Sequence, residues 1–191
     1  QLGENLPALV RDAVSAPTVR LAVGISDGLP KLVVHRLLQP VIGERHLRLL
    51  CHEGEFDELL GDLALHRLDV VLSDRPAPTN PNIKLYSHRM GSSALAWYGT
   101  ADLVQTAGKD FPRSLADVPM LLPTAHTAVR ARLDLWFEQR AIRPRIVGEF
   151  EDSALLKTFG ASGMGIFPAA EWIHENLLAH YAVQRLGACE G

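Results

Sequence analysis

The sequence predicts an α/β fold in two lobes of similar size, each built on a mainly parallel sheet with helices between the strands. Three observations carry that prediction. Apolar, strand-like runs alternate with amphipathic helical patterns along most of the 191 residues. The connections are long enough to hold a helix, which implies right-handed crossovers and strands buried on both faces. The alternation pauses once, at the turn-rich PAPTNPN of residues 76–82, and then resumes.

Residues 1–17 have a partly helical pattern (Leu6, Leu9, Val10, Val14) that stops at Pro17, and they read as the tail of something upstream. VRLAVGI is an apolar strand, and LPKLVVHRLLQPVIG is a helix that accepts Pro30 in its first turn. LRLLC is a second strand. EFDELLGDLALH is a helix with Phe56, Leu59, Leu60 and Leu63 on one face, and DVVLSD is a third strand.

Beyond the loop, KLYSHR, SALAWYG and DVPMLLP read as strands, and TAVRARLDLWFEQR as a helix carrying Val129, Leu133, Trp136 and Phe137. RIVGEF is a strand, DSALLKTFGA a helix, GMGIFP a strand, AEWIHENLL a short helix and YAVQRLG a last strand. The expected divisions are 1–17 as a lead-in helix, 18–88 as the first lobe, 89–179 as the second, and 180–191 as a strand returning towards the first lobe.

Composition excludes several classes. The net charge is −3 with both signs interspersed, so the chain has no electrostatic footprint of a nucleic-acid binder. No apolar run reaches the length of a membrane span, and no basic segment leads into an apolar one as in a signal peptide. Two cysteines fit neither a disulfide framework nor a metal site, which favours the cytoplasm and makes Cys51 a small buried hydrophobe. His35, His46, His66 and His180 read as surface or capping residues, and Trp97, Trp136 and Trp172 as core or interlobe residues.

One motif suggests an enzyme. G-I-S-D-G, Gly24 to Gly28, fits the nucleophile elbow of serine hydrolases, with a strand before it and a helix after. Such an elbow needs several strands ahead of the nucleophile, and only a helical tail precedes Ser26. Glycines that permit tight backbone, and a Ser26 or Asp27 that caps the next helix, account for the same letters. No catalytic residue is assigned.

In parallel α/β sheets, ligands bind beyond the carboxyl ends of strands, where helix N-termini also point. Those ends hold Ser26, Asp27, Glu53, Gly54, Ser73 and Asp74 in the first lobe. In the second they hold Thr124 and His126, then Glu149, Glu151, Asp152 and Ser153, then Pro168. A cleft between the lobes is the expected binding site. Asp27, Glu53, Asp74, Glu151 and Asp152 would repel one another there unless their pKa values rise or a cation joins them. Asp27, Glu53, Asp74 and Asp152 are therefore candidate ligands for a hard cation such as a weakly bound sodium ion.

The units RLAVGIS, HEG, VVLSD, SHRMGS and LADVPMLLP together resemble the effector-binding domain of LysR-type transcriptional regulators, over residues 18–187. The runs VGEFEDSALLKTFGA, IFPA and LDVVLSDRP more narrowly resemble family members that regulate a sodium/proton antiporter. The resemblance implies two Rossmann-like lobes in a periplasmic-binding-protein-like (type 2) arrangement with an effector in the interlobe cleft. It implies a transcription activator that responds to sodium, acts as a homodimer or homotetramer, and reaches DNA through an N-terminal winged helix-turn-helix outside this chain. Residues 1–17 would end its linker helix, and a closing element would follow residue 191. The helix from Leu29 to Ile42 shows two apolar stripes, and the second (Val34, Leu38, Val41) is expected to face a partner chain near residues 55–65. The alternative is a solute-binding protein of a transport system, which shares the fold class.

Overall fold

The computed structural model describes residues 18–44, 46–79 and 85–189. The expected linker helix, Lys84 at the start of KLYSHR, and the last two residues lie outside the described residues. The chain divides into two compact units, one of residues 1–26 and 34–87, the other of residues 27–33 and 88–191.

The first unit follows the predicted alternation. Strand β1 (Val19–Ser26) leads to helix α1 (Lys31–Leu38), whose first three residues count with the other unit, then β2 (Leu47–Gly54), α2 (Phe56–Ala64) and β3 (Val70–Leu72). The three strands are parallel in the order β2-β1-β3. The central strand buries Ala22 to Ser26, while β2 at the edge leaves most of its residues exposed. Cys51 lies on that edge strand and is exposed, not the buried hydrophobe that its apolar neighbours suggested. Phe56, Leu59 and Leu60 form the buried face of α2, and Leu59 packs with Ala22 and Leu68. A Cβ on Gly24 would lie 2.7 Å from Leu68 Cδ1 and 3.0 Å from Leu59 Cδ2, so glycine is what lets these side chains sit directly on β1. The Asp69 carboxylate accepts from Ala22 N–H at 2.7 Å and fixes the entry to β3.

The second unit contains β4 (Leu95–Gly99), α3 (Ala101–Gly108), β5 (Pro119–Pro123), α4 (Ala128–Gln139), β6 (Arg145–Phe150), α5 (Ser153–Ala161), β7 (Phe167–Ala170), α6 (His174–His180) and β8 (Gln184–Cys189). Here the sheet is not mainly parallel. β7 and β8 both flank β4 and run antiparallel to it; β5 and β6 are a parallel pair joined to the rest by a bridge from Met120 to Ile166. Apolar runs report burial but not direction, and LAWYG, PMLLP and FPAA look alike on that measure. The strand expected to return towards the first lobe is β8, which pairs with β4 inside the second unit. Residues 85–94 hold no strand, and Tyr86 there is 87% exposed, against the strand read in KLYSHR. Helix α3 was not expected; its sequence ADLVQTAG has one fully buried side chain, Ala107, with Leu103 and Val104 packed on the same cluster.

All of β4 is buried, and its alternation divides the core. Trp97 packs on Trp136, Phe137 and Leu133 on one face, with ring centroids 5.6 Å from Trp136 and 5.5 Å from Phe137. Tyr98 packs on Phe167, Leu156, Ile173 and Leu177 on the other. Trp172, expected in the core or between the lobes, is exposed. Leu32 and Val33 from the start of α1 pack against the Tyr98 cluster, while Val34 and Leu38 are also buried. Val34 and Leu38 are thus covered within the chain and are not the partner-facing surface the sequence suggested, while Val41, the third residue of that stripe, is only partly buried.

Candidate functional site

In the first unit, parallel register aligns the carboxyl ends. Ser26 sits opposite Gly54, and Ile25 lies between Glu53 and Leu72. Ser26, Glu53, Gly54 and the Ser73–Asp74 pair that follows β3 therefore share one edge of the sheet. Ser26 is only 3% exposed. It ends β1 five residues before Lys31 opens α1, so it is not in the N-cap position that the sequence reading gave it. The turn that follows needs Gly28, whose φ of +92° favours glycine. Ser73 Oγ accepts from Arg75 N–H at 3.1 Å, a local turn. Both carboxylate oxygens of Asp74 are enclosed with no hydrogen-bond partner, and the Arg75 guanidinium approaches to 3.5 Å.

In the second unit, β5 and β6 end side by side at Pro123 and Phe150, and Thr124 N–H donates to Phe150 C=O at 3.1 Å. This ties Thr124 to the loop carrying Glu151 and Asp152. Thr127 caps α4: its Oγ1 accepts from Arg130 N–H at 3.1 Å and donates to Thr124 C=O at 3.0 Å. Thr124 Oγ1, by contrast, is buried with no partner. A buried hydroxyl left unpaired loses its hydration without return. Asp27 is exposed, and the turn it shares with Gly28 approaches Thr127, since a Cβ on Gly28 would lie 3.6 Å from Thr127 Cγ2.

The acidic residues of this unit already have work. Glu149 Oε1 accepts from Arg130 Nη1 at 2.6 Å. The same guanidinium donates to Pro123 C=O and to Asp134, each at 2.9 Å. Burial alone would lower the Arg130 pKa, but the hydrogen bonds from Glu149 and Asp134 outweigh it and raise the value. Asp152 caps α5 by accepting from Ala154 N–H at 3.0 Å. Glu151 and His126 are exposed and 3.9 Å apart. Pro168 lies within β7, opposite Trp97, and not beyond a strand end. Among the described residues no group of three or more His, Cys, Asp or Glu could hold a metal ion.

The sequence reading missed Thr127 and Arg130. Thr127, immediately ahead of AVRARL, carried a readable cap signal. Arg130 did not, because a lone arginine in a helix reads as solvated surface until its partners on other elements are known. Strand ends that offer hydroxyls, backbone N–H groups and a capped helix start can hold a small polar ligand by hydrogen bonds.

Residues 16–188 match the family model of the LysR substrate binding domain. Among curated proteins, the transcriptional activator protein NhaR of Escherichia coli (strain K12) is 31% identical over 169 residues, covering 88% of this chain and 55% of that protein. The chain thus spans about half the length of that relative. Among solved structures, the effector-binding domain of QuiR in complex with shikimate superposes with a TM-score of 0.66 at 17% identity, covering 92% of this chain and 83% of that one. Full-length CbnR complexed with its target DNA gives a TM-score of 0.63 at 17% identity, covering 100% of this chain and 66% of that one.

Proposed function

The chain belongs to the LysR substrate binding domain family, and from that membership we propose that it is the effector-sensing regulatory domain of a LysR-type, NhaR-like transcriptional activator, acting in the cytoplasm as an oligomer and reaching DNA through a separate domain. The observation that carries the reading is the family match across residues 16–188. The family and the NhaR relative are regulators, not enzymes. Among the described residues no helix is long and apolar enough to cross a membrane.

The effector is read at the carboxyl ends of the strands. Thr124 is the best-supported contact, because its hydroxyl is enclosed and unpaired beside a capped helix start. A small organic acid suits it: the bound shikimate of QuiR is of that class. Ser26, Glu53, Gly54, Ser73, His126 and Glu151 are the further candidates.

A cation reading of the same residues draws support from Asp74, whose enclosed carboxylate has only the Arg75 guanidinium at 3.5 Å and no hydrogen bond. It rests on Asp74 alone, since no group of three such carboxylates forms among the described residues and Asp152 already caps α5.

Thermal melting tests both. A screen of small organic acids should find one that raises the melting temperature of the chain by mass action, and Thr124→Val should remove most of that rise. A sodium effector would instead raise it in NaCl but not in choline chloride of equal ionic strength, with Asp74→Asn flattening the difference. No stabilising acid and equal responses to both salts would contradict the assignment of these residues.

A further inference from the structure

A pocket lies in the second unit beside the first turns of α1 and α5. It holds about 260 Å³ and is lined by Lys31 and Leu32 of α1, Ser153 and Lys157 of α5, and Ile173 and Leu177, among others. Its apolar wall continues the Tyr98 core cluster, to which Ile173 and Leu177 belong and on which Leu32 packs. Its polar lining includes Lys31 and Lys157, with Ser153, Asn176, His180 and Tyr181.

Lys157 is unusual. It is 8% exposed, yet it forms no hydrogen bond or ion pair among the described residues, and neither does Lys31. Its ammonium is not sealed off, since it is absent from the enclosed unpartnered atoms, so the small exposed remainder opens on the pocket. Burial lowers its pKa; the Asp152 charge works against that shift and the Lys31 charge adds to it. A lysine buried to this degree ordinarily has a counter-charge. Both lysines line the same apolar hollow, and a lysine ammonium binds carboxylates by charge-assisted hydrogen bonds.

We propose that this pocket is a binding site for a small organic monocarboxylate with an apolar body, its carboxylate between Lys31 and Lys157 and its body against Leu32, Ile173 and Leu177. Lys157 supplies the desolvated charge, and Lys31 at the rim draws the anion in. Ser153 offers a hydroxyl to the carboxylate. The site is separate from the strand-end effector site of the proposed function and does not depend on it.

Isothermal titration calorimetry on the 191-residue chain tests it, with sodium benzoate as the probe and benzyl alcohol as the uncharged body, at constant ionic strength. Benzoate should bind saturably at one site and benzyl alcohol at least about tenfold more weakly, as expected when a charge-assisted hydrogen bond is absent. Lys157→Met should weaken benzoate by a similar factor while melting at or above the parent temperature at pH 7, because it removes an uncompensated buried charge. Lys31→Met, at an exposed position, provides the same test without touching the core and should weaken benzoate several-fold. Absence of saturable benzoate binding, equal affinity for benzyl alcohol, or unchanged affinity in both lysine variants would overturn the site.

Discussion

Arg130 shows how much a single residue can organise. Its guanidinium links α4 to the end of β5 through Pro123 C=O, to β6 through Glu149, and to its own helix through Asp134. Those bonds hold together the loop ends on which Thr124 and Thr127 stand. Arg130→Met keeps the buried methylenes but strands Glu149 and the Pro123 carbonyl. Glu149 is half-exposed and recovers some water, so the loss should be about 2–3 kcal/mol, the range for hydrogen bonds to charged groups. Chemical denaturation would measure it, and a loss under about 0.5 kcal/mol would reduce the network to a surface ion pair. The two thiols make a second residue-level contrast. Burial pushes the Cys189 thiol up to about 11, while Cys51 is exposed on an edge strand. A raised thiol favours the fold below its unfolded value of 9.0, and that contribution is lost as pH climbs through about 11. At pH 8 a thiol reagent should therefore label one cysteine of the native chain quickly, and Cys51→Ser should abolish the fast phase; two fast equivalents would contradict the buried placement of Cys189.

At the scale of elements, helix α5 is the most constrained by its packing. Gly160 is buried, and a Cβ there would collide with the ring of Phe167, a side chain with no exposure at the centre of its cluster. Gly160→Ala should destabilise the chain by about 1–3 kcal/mol, the usual penalty of overpacking. Thermal denaturation would show it, and a neutral or stabilising effect would mean that the helix can shift off β7. The elements also mark the limits of the sequence. β1, α1, β2, α2 and β3 were legible because a β-to-α change of period, from 2 to 3.6, is written directly in the apolar positions. Antiparallel β7 and β8 were not, because strand direction is set by tertiary pairing with β4. α3 is short and was not read although Leu103, Val104 and Ala107 pack on one cluster, and KLYSHR misled because alternation of polar and apolar residues without a partner strand makes no ladder.

For the molecule as a whole, the two units each expose strand ends of the same chemical kind, hydroxyls and carboxylates next to helix starts, which the sequence already placed. What it could not place was their state of engagement. Glu149 and Asp152 proved to be held by Arg130 and by the first turn of α5, whereas Thr124 Oγ1 and the Asp74 carboxylate have no hydrogen-bond partner, Asp74 keeping the Arg75 guanidinium at 3.5 Å. Counting carboxylates overstated the negative charge available to a ligand, because hydrogen-bond satisfaction is a property of the folded neighbourhood. The central claim is that this chain serves a DNA-bound regulator and not a transport component. Chromatin immunoprecipitation of the tagged gene product that carries this chain tests it most directly. Regulation predicts sharp enrichment at a limited set of intergenic sites in the cell; recovery no different from an untagged strain, with the protein found outside the cytoplasmic membrane, would contradict it.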